Sequence, residues 1–306
     1  MNSILVTGGC GFIGSNLIDK LIDRGNKVFV IDDLSTGVES NQNIRANYIV
    51  NDINNYCESK EELKSLIVNN NIKIVYHLAG LSNVREGIEN PIPTFQVNFL
   101  SSIAISEICL ENGVDKFIFV STSAVYGDPH YFPVDESHET LPKSPYGLSK
   151  LVSENYFKYL SKISEMNIVI FRLPNVYGPR QRPDLEGGVV GIFNDLMKHS
   201  KEVTFFGDGN QTRDWVHVYD IVDAMVKILE INDLNYEIIS LGSEKKHTLK
   251  DLFKYLSQHL SYKLKPNFET ERAGDIKYMI MSGRKAKELL NWEPKIKLND
   301  GVKIMD

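Results

Sequence analysis

The chain has 306 residues, 42% of them hydrophobic and 24% charged, with a formal charge of −6. That length and balance suit one large folded unit or two, with enough apolar residues to bury a sizeable core. The acidic balance argues against nucleic acid as a partner, and no apolar run approaches the ~18 residues needed to span a bilayer. The first strand is expected to begin at Ser3, which leaves no room for a signal peptide, so a cytoplasmic location is expected. Cys10, Cys57 and Cys109 show neither metal-ligand spacing nor an even disulfide set, and no metal site is expected.

In chain order, Ser3-Ile4-Leu5-Val6 reads as a strand that runs into Gly8-Gly9-Cys10-Gly11-Phe12-Ile13-Gly14 and an amphipathic stretch through Arg24. Glycines at 8, 11 and 14 let phosphate approach a helix N-terminus, where free N–H groups and the helix dipole favour an anion. A second strand, Lys27–Ile31, ends at Asp32-Asp33, where a carboxylate accepts hydrogen bonds from a ribose diol and repels a 2′-phosphate. NAD is therefore expected rather than NADP. Strand patterns at Tyr48–Val50 and Ile74–His77 alternate with helices near Glu61–Asn69 and Thr94–Asn112, which predicts a doubly wound parallel (Rossmann) sheet of the α/β class. Asp52-Ile53 is expected at the adenine, Leu78-Ala79-Gly80 beside the cofactor backbone, and His77 in a structural role.

The run Phe117-Ile118-Phe119-Val120 predicts a buried strand with Ser121-Thr122-Ser123 at its carboxyl end, where ligands of such sheets bind. Tyr146 and Lys150 follow at helical spacing, so a phenol and an ammonium share one face and one proton-transfer task. After a strand at Ile168–Phe171 the pattern shifts to longer loops rich in Pro, Gly and Arg, with helices near Gly188–His199 and Leu249–Leu260. This divides the chain into a dinucleotide domain, 1–172, and a smaller α/β substrate-binding lobe, 173–306, some of whose segments can return to the sheet. No linker separates the two.

Together the segment Thr7–Gly14, Asp32, Asn98, Thr122, Tyr146/Lys150, Arg172–Gln181, Gln211–Val218 and Arg272-Ala273-Gly274-Asp275 resemble the extended short-chain dehydrogenases/reductases of the NAD-dependent epimerase/dehydratase type. Within them the chain is similar to the UDP-glucose 4-epimerase branch, over essentially its whole length. The resemblance implies tightly held NAD, a UDP-sugar substrate and a homodimer joined through Thr94–Asn112 and Pro145–Ser164. It implies cofactor contacts at Gly8, Gly11, Phe12, Ile13, Gly14, Asp32, Asp33, Leu34, Ser35, Thr36, Gly37, Asp52 and Ile53. Leu78, Ala79, Gly80, Ser82, Asn98, Tyr146, Lys150 and Pro174 complete that set. For the substrate it implies Thr122, Asn175, Val189, Thr204, Phe206, Arg213, Arg272, Asp275 and Met279. Arg213 and Arg272 are the implied pyrophosphate partners, Thr204 and Phe206 meet uracil, and Asp275 meets the uridine ribose.

A tyrosine titrates near 10, and Lys150 with an oxidised nicotinamide is expected to lower that by roughly 1–3 units per close charge. Tyr146 would then take the proton of the sugar 4-hydroxyl while hydride leaves carbon 4, with Thr122 bridging hydroxyl and phenol and Ser123 bonding the sugar. In related dehydratases Asp-Glu follows the threonine, and in decarboxylases Ser-Glu; here Ser123-Ala124 follows, which favours epimerisation over elimination. Arg182-Pro183-Asp184 resembles a segment of UDP-glucuronate 4-epimerases in which an arginine lies near the sugar carboxylate, although Asn175 replaces their threonine. UDP-glucuronate epimerisation, a nucleotide-sugar dehydratase or decarboxylase, and a non-catalytic NAD-binding sensor remain the alternatives. Met279 falls where related epimerases use a tyrosine to exclude N-acetylated sugars or a small residue to admit them.

Overall fold

In the first strand, β1 (Ser3–Thr7), Ile4 and Val6 point to one face of the sheet and Leu5 to the other, all fully buried. Strands buried on both faces need helices on both faces, and the connections supply them. The computed structural model describes residues 2–185, 188–232, 234–271 and 276–305. After β1 come α1 (Phe12–Asp23), β2 (Lys27–Asp32), β3 (Asn47–Val50), α2 (Glu61–Asn69) and β4 (Ile74–His77). Then follow α3 (Val84–Glu89), α4 (Pro91–Phe95), a π-helical turn (Gln96–Leu100), α5 (Ser101–Glu111), β5 (Lys116–Thr122), α6 (Pro145–Ile163) and β6 (Asn167–Leu173). The helical run expected at Thr94–Asn112 thus starts earlier, at Pro91, because proline in a first helical turn gives up no hydrogen bond.

The second part contributes β7 (Asn175–Tyr177), α7 (Val189–Lys198), β8 (Thr204–Phe206), β9 (Thr212–Arg213), β10 (Trp215–His217) and α8 (Val218–Lys227). It ends with β11 (Tyr236–Ser240), β12 (His247–Thr248), α9 (Leu249–Leu260), β13 (Asn267–Glu269), α10 (Arg284–Leu290) and α11 (Leu298–Gly301). Seven parallel strands form the central sheet in the order β11-β6-β5-β4-β1-β2-β3, and the order reverses between β1 and β4. One face carries α1 and α8, with Leu17, Ile18, Ile221 and Met225 buried in one core. The opposite face carries α2, α5 and α6, with Leu63, Ile105, Phe157 and Leu160 in a second.

Three elements from beyond residue 172 return to the dinucleotide unit: β11 extends the sheet beside β6, α8 packs on α1, and α10 buries Ala286 and Leu290 in the same core. The rest of that part has its own core, in which Phe193, Phe205, Trp215 and Leu252 meet. Among the described residues no helix is long and apolar enough to cross a membrane, and no His, Cys, Asp and Glu side chains cluster in a way that would hold a metal ion.

Candidate active site

A single cavity of about 1090 Å³ opens over the carboxyl ends of the strands, at the place where the strand order reverses, and continues into the second lobe. Its floor is the turn between β1 and α1. Gly8 has φ +71°, and a Cβ there would stand 2.7 Å from the Ala79 nitrogen; one on Gly14 would stand 2.2 Å from the Gly8 oxygen. These two glycines are thus required by the chain's own packing. A Cβ on Gly11 would meet only the Gly8 oxygen, at 3.3 Å, so the turn is open towards the cavity at the helix N-cap. Gly11, Phe12, Ile13 and Gly14 all line the cavity, which leaves a glycine cradle at a helix N-terminus suited to a pyrophosphate.

Asp32, at the end of β2, lines the same cavity and is nearly buried. Its carboxylate accepts hydrogen bonds from the Cys10 nitrogen at 2.8 Å and the Leu34 nitrogen at 2.9 Å. Burial raises its pKa above the ordinary carboxylate value, and the two N–H donors oppose that rise. Asp33, Ser35, Thr36, Asp52, Ile53, Leu78, Ala79, Gly80, Ser82 and Pro174 also face the cavity.

Three further residues expected at the cofactor, Leu34, Gly37 and Asn98, adjoin residues that line the cavity. Leu34 takes a left-handed turn conformation at φ 60°, and Gly37 lacks a Cβ where one would stand 2.8 Å from Cys10 Cβ. Asn98 is fully buried and clamps the loop after β4: its Oδ1 accepts from Leu81 N at 2.8 Å, and its Nδ2 donates to Leu81 O at 2.9 Å and to Ser149 Oγ at 3.1 Å. It thereby fixes Leu81, which lines the cavity.

The reacting groups come from β5 and α6. Ser144 caps α6 by accepting from Gly147 N at 3.1 Å, and Pro145 opens the helix, so Tyr146 stands in its first turn. A Cβ on Gly147 would lie 2.6 Å from the Ala124 oxygen, so this glycine lets α6 press against the turn that follows β5. That contact sets Tyr146 beside the end of β5, where Thr122 also lines the cavity and its hydroxyl accepts from the Ala124 nitrogen at 3.1 Å. Lys150 Nζ, one turn along α6, donates to the Val120 carbonyl oxygen at 3.0 Å.

Burial raises the Tyr146 pKa and the Thr122 hydrogen bond lowers it, with burial the larger effect. The expectation that Lys150 lowers it is not met by the chain's own charges, because the ammonium is turned to the backbone of β5. Burial lowers Lys150 to about 8, and the Glu154 charge opposes that fall. Ser123 faces the cavity, and Ala124 beside it brings no carboxyl group.

On the substrate side the cavity is lined by Asn175, Val189, Thr204, Phe206, Arg213 and Met279. Met279 is almost wholly buried against Val125, Tyr126, Val134 and Met281. The segment that follows it is pinned by Asp214, whose carboxylate accepts from Met281 N at 3.1 Å and Ser243 N at 2.9 Å. Arg272 and Asp275 lie outside the described residues.

Arg182 does not turn to the sugar end, where the uronate resemblance would have it. It donates to the Thr36 carbonyl at 2.8 Å and pairs with Asp184, on the side of the cavity formed by the loop after β2. Arg180 and Gln181 also line the cavity; sequence reasoning missed both, although they close the Gly178-Pro179 motif that it had singled out.

A family model described as the NAD dependent epimerase/dehydratase family matches residues 4–242. The chain is 30% identical to the UDP-glucose 4-epimerase of Mycolicibacterium smegmatis over 304 residues, covering 97% of this chain and 95% of that protein. Its fold is similar to the crystal structure of Thermotoga maritima UDP-glucose 4-epimerase with UDP-glucose, at TM-score 0.94 and 37% identity, covering 99% of this chain and 97% of that one. It is also similar to the UDP-N-acetylglucosamine 4-epimerase of Methanobrevibacter ruminantium in complex with UDP-N-acetylmuramic acid, at TM-score 0.92 and 31% identity, covering 99% and 96% of the two chains. With the glycine cradle, the Asp32 carboxylate and the Tyr146/Lys150 pair all in one cavity, this chain belongs to the NAD dependent epimerase/dehydratase family.

Proposed function

We propose that this protein is a UDP-sugar 4-epimerase that interconverts UDP-glucose and UDP-galactose and takes the N-acetylated pair more weakly. The observation that carries the reading is that Thr122, Tyr146 and Lys150 line one cavity with the glycine cradle, with Ala124 where an acid would stand in an eliminating enzyme. When bound, NAD supplies the acceptor and then the donor of the hydride at sugar carbon 4. Tyr146 takes the proton of the 4-hydroxyl, directly or across Thr122, holds it, and returns it once the ketone has turned its other face. Lys150, its ammonium at the Val120 carbonyl, holds the cofactor ribose. With no carboxyl group at position 124, the 4-keto sugar is not steered into loss of water or of a carboxylate.

Arg213 and Arg272 pair the diphosphate, Asn175 and Val189 meet the diphosphate or sugar, Thr204 and Phe206 hold the uracil and Asp275 the uridine ribose. A sugar carboxylate reading is not favoured, because Arg182 is engaged at Thr36 and Asp184. Incubation with UDP-glucose, UDP-N-acetylglucosamine and UDP-glucuronate, with products resolved by NMR, tests the assignment; absence of the 4-epimer in all three refutes it.

A homodimer in the cytoplasm, serving galactose metabolism, completes the reading. Leu100, Leu148, Tyr159 and Ile163 are exposed on the helical run of residues 91–111 and on α6, an apolar surface fit for a second copy. Analytical ultracentrifugation of the wild type and of Tyr159→Glu tests this, and a monomeric wild type refutes it.

A further inference from the structure

Beneath the catalytic pair lies a second charged group. Glu154 follows Lys150 by one turn and Tyr146 by two, on the same inward face of α6. It meets Arg172 of β6 with side-chain exposures of only 2% and 4%, through Nη2–Oε2 at 2.6 Å and Nε–Oε1 at 3.1 Å. Ser121, the neighbour of Thr122 on β5, donates to the same carboxylate. The guanidinium also donates from Nη1 to the Tyr126 hydroxyl at 3.0 Å, and Tyr126 lies just past the Ser123–Val125 turn. Tyr126 hydrogen-bonds Ser240 of β11 at 3.2 Å, and Tyr236 of β11 donates to the Glu154 carbonyl at 3.2 Å.

Every segment that delivers a reacting group therefore ends on this pair: α6 with Tyr146 and Lys150, β5 with Thr122, its following turn with Ser123, and β6 leading to Pro174 and Asn175. We propose that Glu154 and Arg172 are positioning residues for the epimerisation, holding Tyr146, Thr122 and Lys150 in their relative places. The proposal rests on the epimerase reading for its kinetic part only.

Fold stability alone does not account for such a pair. A buried ion pair loses so much hydration that apolar replacement of both partners is often neutral or stabilising. What apolar side chains cannot supply is direction: five donors on a planar fork, aimed at a carboxylate and a phenol, set the relative place of three elements. The charge matters as well. The groups facing Lys150 are Tyr146 and Glu154 on its own helix, the neutral His77 behind it on β4, and the Val120 carbonyl and Phe119 ring on β5, with Arg172 of β6 beyond Glu154. Glu154 is the anion among them, and its field supports the lysine proton.

The test uses the full-length NAD-loaded protein with the double substitution Glu154→Gln and Arg172→Met, which removes both charges while keeping bulk. The expected result is a folded protein whose kcat falls by about 10²-fold, the scale of a misplacement of about 1 Å, with KM little changed. The Lys150 titration, read by NMR on labelled lysine and assigned with Lys150→Arg, is expected to move to lower pH. A folded double variant with wild-type kcat overturns the proposal, as does an unmoved Lys150 titration. If the double variant fails to fold, Arg172→Lys keeps the charge and loses the fork; kcat must then fall with the Lys150 titration unmoved, and wild-type kcat overturns the proposal. A wild type inactive on every UDP-sugar refutes the epimerase reading instead, and the Lys150 titration, measured without substrate, then decides the proposal alone.

Discussion

Lys150 Nζ donates to the Val120 carbonyl oxygen at 3.0 Å and stands 4.5 Å from the centre of the Phe119 ring, so the ammonium is held by β5 rather than by the phenol one turn away. Its burial brings its pKa from the ordinary 10.5 to about 8. Turnover is therefore expected to decline as pH rises through about 8, and Lys150→Arg, which stays charged, to be slower but without that decline. Stability should move the opposite way. Between about 8 and 10.5 the unfolded lysine holds a proton that the folded one has lost, so the cost of burying its charge is relieved as pH rises. Parallel pH series of kcat and of urea unfolding, each for wild type and Lys150→Met, check both signs.

Tyr146→Phe removes the proton carrier and leaves the ring that packs against the turn after β5. The expected outcome is unchanged folding and NAD content with turnover lower by at least about 10²-fold, the usual range for lost acid–base catalysis. Stopped assays alongside spectroscopic NAD quantitation check it, and near-normal turnover would sink the mechanism.

The loop before α7 is tied across the cavity to the dinucleotide elements at three points. Asn16 Nδ2 donates to the Pro179 carbonyl at 3.2 Å, Arg180 pairs with Asp19 at 2.7 Å, and Arg182 donates to the Thr36 carbonyl at 2.8 Å. Arg180 and Asp19 are each about a third exposed, so each tie is individually modest. Together, Arg180→Ala with Arg182→Ala is expected to speed NAD release by about tenfold, since such losses appear mainly in the off-rate. Dilution of loaded protein into a cofactor trap measures it, and an unchanged rate refutes the strap.

Nucleotide released on denaturation is expected to be NAD, with no gain from added NADP, because the Asp32 carboxylate opposes a 2′-phosphate at the end of β2. Mass spectrometry of the released cofactor decides this; a stoichiometric amount of NADP contradicts it.

Met279 closes the sugar end of the cavity from within an apolar cluster, and its thioether is flexible. Met279→Ser is expected to improve turnover of the N-acetylated UDP-hexoses relative to UDP-glucose, and Met279→Tyr to abolish it while keeping UDP-glucose activity. If both variants keep the wild-type ratio of kcat/KM values, the residue does not set sugar choice.

What was legible in the chain is what neighbours along it determine. The apolar run Ile4-Leu5-Val6 before glycines at 8, 11 and 14 told of a strand, a phosphate-accommodating turn and a helix, while the structure added that Gly8 and Gly14 are also required by the chain's own packing. The spacing of Tyr146 and Lys150 put them on one helical face because the helix repeat is local. Contacts between distant segments were decided only by tertiary packing. The nearness of Tyr146 to the end of β5 depends on Gly147 resting against the Ala124 oxygen, and β11 reaches the sheet only through pairing with β6. Nor does local spacing announce that Asn98 holds Leu81 or that Arg182 donates to the Thr36 carbonyl. Glu154 and Arg172 carried no motif that marked them as partners. A side chain's type and helical phase follow from local geometry, whereas its partner follows from strand order and from how closely the helices press on the sheet.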